Sequence, residues 1–254
     1  MVSGLSWKNW RTPRFFKSSF KEICGEVATC CVLLFPLAVL WHSPAGEPLK
    51  PPPPTHQEFT ATKSDLPWYE AQRFYYHIQT RLPMYRKQFE AAAEQYDVPW
   101  TLLAAQGYQE SRWDKHAKSP TGVRGLMMLT RDTASSLGIK NRLDPNKSIE
   151  GGARYLAYLQ NQIPEEIAHP DRIWIALAAY NVGLGHIKDA QRLATRFSKN
   201  PESWSELKTV LPLLAQKKYY KQLRYGYARG REPVHYVKRI RTFRTLLEHY
   251  FSEI

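Results

Sequence analysis

Between Ile173 and Tyr180 the chain reads IWIALAAY, apolar on every side. A helix that is hydrophobic all round has no solvent face, so it belongs at the centre of its fold. It is too short to cross a bilayer, which takes roughly 20 residues. The segment is therefore expected as a central buried helix with other helices packed around it. The flanking sequence fits that arrangement. Ile149, Ala153, Leu156, Leu159 and Ile163 recur every three or four residues, which predicts an amphipathic helix over 148–162. Residues 68–81 and 83–96 read as two further helices. Asp97-Val98-Pro99 reads as a turn, with Asp97 as a cap and Pro99 in the first helical turn. Val98, Leu102, Leu103 and Gln106 then share a face. Residues 119–124 form a polar Gly/Pro loop, and 130–137 a short helix stopped by Gly138. Gly183 and Gly185 are expected to end the central helix. Further helices are expected over 204–214, 219–229 and 234–250. No alternating strand pattern competes, so the fold class is all-α.

The N-terminal part is organised differently. Residues 1–43 combine a basic flank, with Lys8, Arg11, Arg14, Lys17 and Lys21, and an uncharged apolar run over 27–41. That order is the pattern of an export signal or a signal anchor. Either reading places the remainder outside the cytoplasm, with the membrane engaged through the N-terminal segment. Residues 44–67 are proline-rich and read as an extended, stiff spacer. The catalytic part is expected over 68–254. Cys24, Cys30 and Cys31 all precede residue 32, so the folded part carries no disulfide and no cysteine metal site. Its histidines are spread singly, and no metal or other cofactor is expected.

The formal net charge is +13, which favours polyanionic partners. The basic residues are scattered, with neither a zinc-finger pattern nor a basic zipper, so nucleic acid is not expected as a partner. The chain is expected to act as a monomer.

Glu110 stands at the end of an apolar, helix-patterned run from Val98 to Tyr108. A carboxyl group held there can be desolvated, which raises its pKa and keeps a proton available at neutral pH. Such an acid suits cleavage of a sugar–sugar bond. Glu110-Ser111, Ser119 to Thr121, Gly125-Leu126-Met127-Met128, Ala179-Tyr180-Asn181 and Tyr236-Val237 follow in a fixed order. Together they resemble the catalytic domain of the lytic transglycosylases, lysozyme-like enzymes of the bacterial cell wall. The run Gly-Leu-Met-Met-Leu-Thr, with Tyr225 to Gly230 downstream, resembles the membrane-bound transglycosylase F family in particular. Many members of the wider family have Gln where Met128 stands. Family F typically carries a solute-binding-like module ahead of the catalytic domain, where this chain has residues 44–80.

The resemblance implies a lysozyme-like fold and a peptidoglycan substrate in the envelope of a Gram-negative bacterium, on the periplasmic side. It implies Glu110 as the catalytic acid and then base. It also implies Ser119, Gly125, Met127, Met128, Tyr180, Asn181 and Tyr236 as substrate-binding residues. Tyr180 is expected to offer its hydroxyl to Glu110 or to the substrate's N-acetyl oxygen. Asn181 is expected to bind sugar or to cap the helix end. Tyr236 matches the family's late tyrosine near the acid. The implied product is a 1,6-anhydromuramoyl sugar. A hydrolytic muramidase on the same scaffold and a degenerate wall-binding relative are the alternatives.

Overall fold

A computed structural model describes residues 66–120 and 122–252 of the chain. The expected signal or anchor over 1–43, nearly all of the proline-rich spacer, and Thr121 lie outside the described residues. The helices are α1 (Trp68–Thr80), α2 (Arg86–Gln95), α3 (Trp100–Ser111), α4 (Arg131–Ser136), α5 (Pro145–Asn161), α6 (Asp171–Val182), α7 (Leu184–Arg196), α8 (Trp204–Val210), α9 (Lys217–Tyr220) and α10 (Arg231–Ser252). Short 3-10 turns occupy Leu82–Met84 and Leu211–Ala215. Among the described residues the extended pairing amounts to isolated bridges, Lys118 with Arg124 and Arg124 with Leu129. The fold is all-α, as the periodicity requires.

Helix α6 is the centre. Every residue from Ile173 to Ala179 is buried, and the helix packs against α5, α7 and α10. Helix α3 is nearly as enclosed, with Leu102 to Tyr108 all buried. Its main neighbour is α10, the C-terminal helix. Helices α3 and α6 therefore both pack on α10, and their C-terminal ends carry Glu110 and Tyr180.

The end of α3 is fixed by an aromatic cluster. The Tyr108 ring stands edge-on to Phe74 at 4.6 Å, Trp113 at 4.7 Å and Phe243 at 4.8 Å, a favourable geometry for ring quadrupoles. Arg112 and Trp113 turn the chain through left-handed φ values of 56° and 55°. The Trp113 indole then folds back and donates to the Ala104 carbonyl at 2.9 Å. Tyr108, two residues before the catalytic candidate, is thus held from three sides.

Some local expectations need correction. Asp97 does not cap α3: it sits at φ 51°, and Pro99 occupies the cap position with no side-chain bond. Gly183 does end α6, at φ 93°. Gly185, however, lies inside α7, a helix the sequence reading did not anticipate. Its missing side chain admits the Tyr225 ring, which would stand 2.6 Å from a Cβ. The helix expected over 219–229 is confined to α9. Beyond it the backbone N–H groups of Arg224 and Tyr225 donate to the buried Asp189 carboxylate on α7, at 3.3 and 2.7 Å. Those donors satisfy the carboxylate instead of a helix ladder.

Candidate active site

Glu110 lies in the last turn of α3 and is half-buried. Its carboxyl accepts a short hydrogen bond from the Tyr236 hydroxyl on α10. Burial raises the Glu110 pKa from an ordinary 4.5 to about 8, and the bond from Tyr236 acts against that rise. Desolvation wins because it acts on the charged form, and one neutral donor offsets only part of it. No cation enters the balance. At pH 7 the group is therefore mainly protonated. The Tyr236 phenol is pushed well above its ordinary range, first by its own burial and then by the field of Glu110. It stays a neutral donor.

Behind Tyr236 stands Gln106, one helical turn before Glu110 on α3. It is fully buried, and its amide donates to the phenol oxygen at 3.3 Å. The sequence reading placed Gln106 on the packed face of the helix without assigning it a role.

Of the two partners expected for Tyr180, Glu110 is not the one its hydroxyl bonds. That hydroxyl donates to the Met127 carbonyl at 2.9 Å. It remains close enough for the carboxyl to help push its own pKa up, after burial. The phenol on the carboxyl is that of Tyr236, because α10 and not α6 presents a hydroxyl at the right height on α3.

The Gly125–Met128 segment is held from several sides. The Met127 N–H donates to the buried Ser148 hydroxyl at 3.0 Å. The Arg142 guanidinium donates to the Leu129 carbonyl at 2.6 Å and the Gly122 carbonyl at 3.0 Å. Gly125 has φ 87°, and a Cβ there would collide with the Arg142 carbonyl oxygen. Its glycine is required by backbone packing as well as by conformation. Met127 is fully buried, wedged between Gly107 of α3 and Gly152 of α5. Its side chain is core, so any share in binding runs through its main chain. Met128 is half-buried at φ 47°.

The Ser119 hydroxyl accepts from the Val123 N–H at 3.0 Å and so shapes its own loop. Ser111 donates back to the Gly107 carbonyl and does not orient Glu110. Asn181 is exposed, and the cap of α6 is Gly183, whose N–H bonds to Ala179. The structure thus joins Glu110 to Tyr236 and Tyr180 to the Met127 main chain by hydrogen bonds, while Ser119 bonds within its own loop and Asn181 is exposed. Ser148, Arg142 and Gln106 are the supporting residues the sequence reading missed. Among the described residues no group of His, Cys, Asp or Glu is placed to hold a metal ion.

The site is thus a protonated acid under a phenol, at the end of a buried helix in an all-α domain. Residues 87–203 match the Transglycosylase SLT domain, so this stretch of the chain is an SLT domain. It is 59% identical over 172 residues to membrane-bound lytic murein transglycosylase F 1 of Alkalilimnicola ehrlichii, covering 68% of this chain and 35% of that protein. It is 55% identical over 177 residues to membrane-bound lytic murein transglycosylase F of Pseudomonas fluorescens, covering 70% and 36%. The chain therefore spans little more than a third of the length of these curated relatives. The fold matches the 70 kDa soluble lytic transglycosylase of Escherichia coli with a TM-score of 0.51 at 20% identity, over 72% of this chain and 28% of that one. An inactive mutant of the lytic transglycosylase Slt from Pseudomonas aeruginosa matches equally, at 0.51 and 19%, over 73% and 28%.

Proposed function

We propose that the chain is a peptidoglycan lytic transglycosylase, with Glu110 as its acid and base. The reading rests on one observation above the others: Glu110 is protonated near neutral pH and oriented by Tyr236, at the position where the family's motif places its acid. Glu110 gives its proton to the oxygen joining N-acetylmuramic acid to N-acetylglucosamine. The developing oxocarbenium charge is met by the substrate's own N-acetyl group. The Glu110 anion, held by the Tyr236 hydroxyl, then takes the proton of the muramoyl C6 hydroxyl as that oxygen closes the 1,6-anhydro ring. One carboxyl group suffices, in contrast to the paired carboxylates of most glycosidases. Both halves of the cycle need the same side chain to hold and to release a proton, which a pKa near the working pH favours.

The positions around Glu110 have graded parts in this reading. Tyr180 fixes the Met127 carbonyl, and through it the Gly125–Met128 wall beside the acid. Asn181 and Met128 are the exposed and half-buried groups offered to sugar. Envelope localisation on the periplasmic side, with membrane attachment through residues 1–43, belongs to the same reading; its support is that the relatives are named membrane-bound. No helix among the described residues is long and apolar enough to cross a membrane.

Mass spectrometry of muropeptides released from purified sacculi tests the reading. Anhydromuramoyl ends are expected from the parent chain, and at least roughly a hundredfold fewer from Glu110→Gln. Reducing ends would instead identify a hydrolytic muramidase.

A further inference from the structure

Gln106 has no exposed surface and lies one turn before Glu110 on α3. Its amide nitrogen donates to the Tyr236 oxygen at 3.3 Å, and its own amide oxygen has no hydrogen-bond partner. A buried acceptor left unpaired is destabilising. The neighbours in the same packed stretch are Leu, Ala and Gly, and an apolar side chain would avoid that cost. Packing therefore does not explain a glutamine at this site.

The direction of the bond does. A phenol has one hydrogen to give and two lone pairs to offer. With the Gln106 N–H directed at one lone pair, the Tyr236 hydrogen is left for the Glu110 carboxyl. Were the amide reversed, its oxygen would take that hydrogen and the carboxyl would lose its donor. We propose that Gln106 is a positioning residue, which commits the Tyr236 hydroxyl to Glu110 as a donor and so steadies the carboxylate during the base half of the cycle. Successive bonds of this kind polarise one another in a low-dielectric interior. The groups facing the Glu110 carboxyl are Tyr236 from α10 and Tyr180 from α6. The adjacent cation on α10, Arg239, is engaged by Gln109 and Glu70. Gln106 is thus the group that can tune Tyr236 without adding charge.

The proposal rests on Glu110 being the acting acid, and its test can be read without turnover. The Glu110 carboxyl is titrated in the full chain by its carbon-13 shift, assigned by loss of the signal in Glu110→Gln. Gln106→Met is expected to move the midpoint upward, by about half a pH unit or more, since the donor that favours the anion is weakened. In a Tyr236→Phe background the same substitution is expected to move it no further. The melting temperature of Gln106→Met is expected to equal or exceed that of the parent. Gln106→Leu carries the same expectations should the thioether prove too large. An unmoved midpoint, or an equal shift without the phenol, overturns the proposal. Failure of the transglycosylase reading would show separately, as reducing ends or no release from sacculi by the parent chain, with the titration shift intact.

Discussion

Two carboxylates meet α10 through residues one turn apart, and they are treated in opposite ways. Glu70 reaches Arg239 as an ion pair at 2.7 Å, and the same guanidinium donates to Gln109 at 2.8 Å. Glu110, the next residue on α3, is met by the neutral phenol of Tyr236. The first site carries a compensated charge and serves packing. The second stores a proton because burial disfavours the anion and no cation offsets it. In a chain of net charge +13, keeping a cation away from one acid is itself a structural feature. Glu110 and Gln109 differ by one helical step of roughly 100°, enough to separate a neutral face from a charged one.

Substituting Glu110 gives the largest expected effect. Glu110→Gln keeps the shape and removes the exchangeable proton, so muropeptide release is expected to fall by roughly 10²–10⁴-fold. The same change should help the fold at high pH. The folded-state pKa is raised, so folding carries no penalty below about 4.5, a growing one as pH rises, and the full one above about 8. Thermal melts should show the two chains alike near pH 4 and Glu110→Gln the more stable near pH 9, by an amount on the order of a few kcal/mol. A difference that shrank as pH rose would contradict the assigned shift.

Tyr236→Phe is next. It removes the phenol donor to the carboxyl, a bond to a charged group worth about 1.5–3 kcal/mol. Turnover should drop roughly tenfold or more, with the alkaline limb of the pH–rate profile moved upward. Arg239→Gln breaks the contrasting site. Its pair is partly exposed, so a loss of about 1 kcal/mol in stability is expected, with the Glu110 titration midpoint unchanged. A large movement of that midpoint would mean that the two faces are not electrically separate. The smallest effect belongs to Tyr180→Phe. Losing the bond to the Met127 carbonyl should cost about 1 kcal/mol and slow release modestly through the displaced Gly125–Met128 segment.

The same contrast separates what was legible in the sequence from what was not. The IWIALAAY segment announced its burial because its composition allows no other place. Glu110 was legible because an acid ending an apolar helical run is conspicuous, and because the surrounding motifs match a family. Which phenol reaches it was legible only through the resemblance, which put Tyr236 near the acid; periodicity alone makes Tyr236 core. Tyr180 and Tyr236 look alike in sequence, and the choice is made by the rotation of α10 against α3 across 126 residues. Gln106 was read as a member of the packed face, since periodicity reports burial and says nothing of which polar atom lies opposite. Helix α7 was missed for a related reason. Gly185 looked like a stop, whereas it makes room for a ring from residue 225. The Asp189 carboxylate that draws in the 224–225 backbone is an ordinary charge on paper, and becomes buried only when that loop supplies its donors.

The most direct test is the titration of the Glu110 carboxyl in the parent chain, followed by its carbon-13 shift from acid to alkaline pH. A midpoint near 8 is the expected result, with release of anhydromuramoyl products falling over the same range as the proton is lost. A midpoint in the ordinary carboxylate range, near 4.5, would mean that the side chain is an anion throughout, and the account of Glu110 as a stored proton would be wrong.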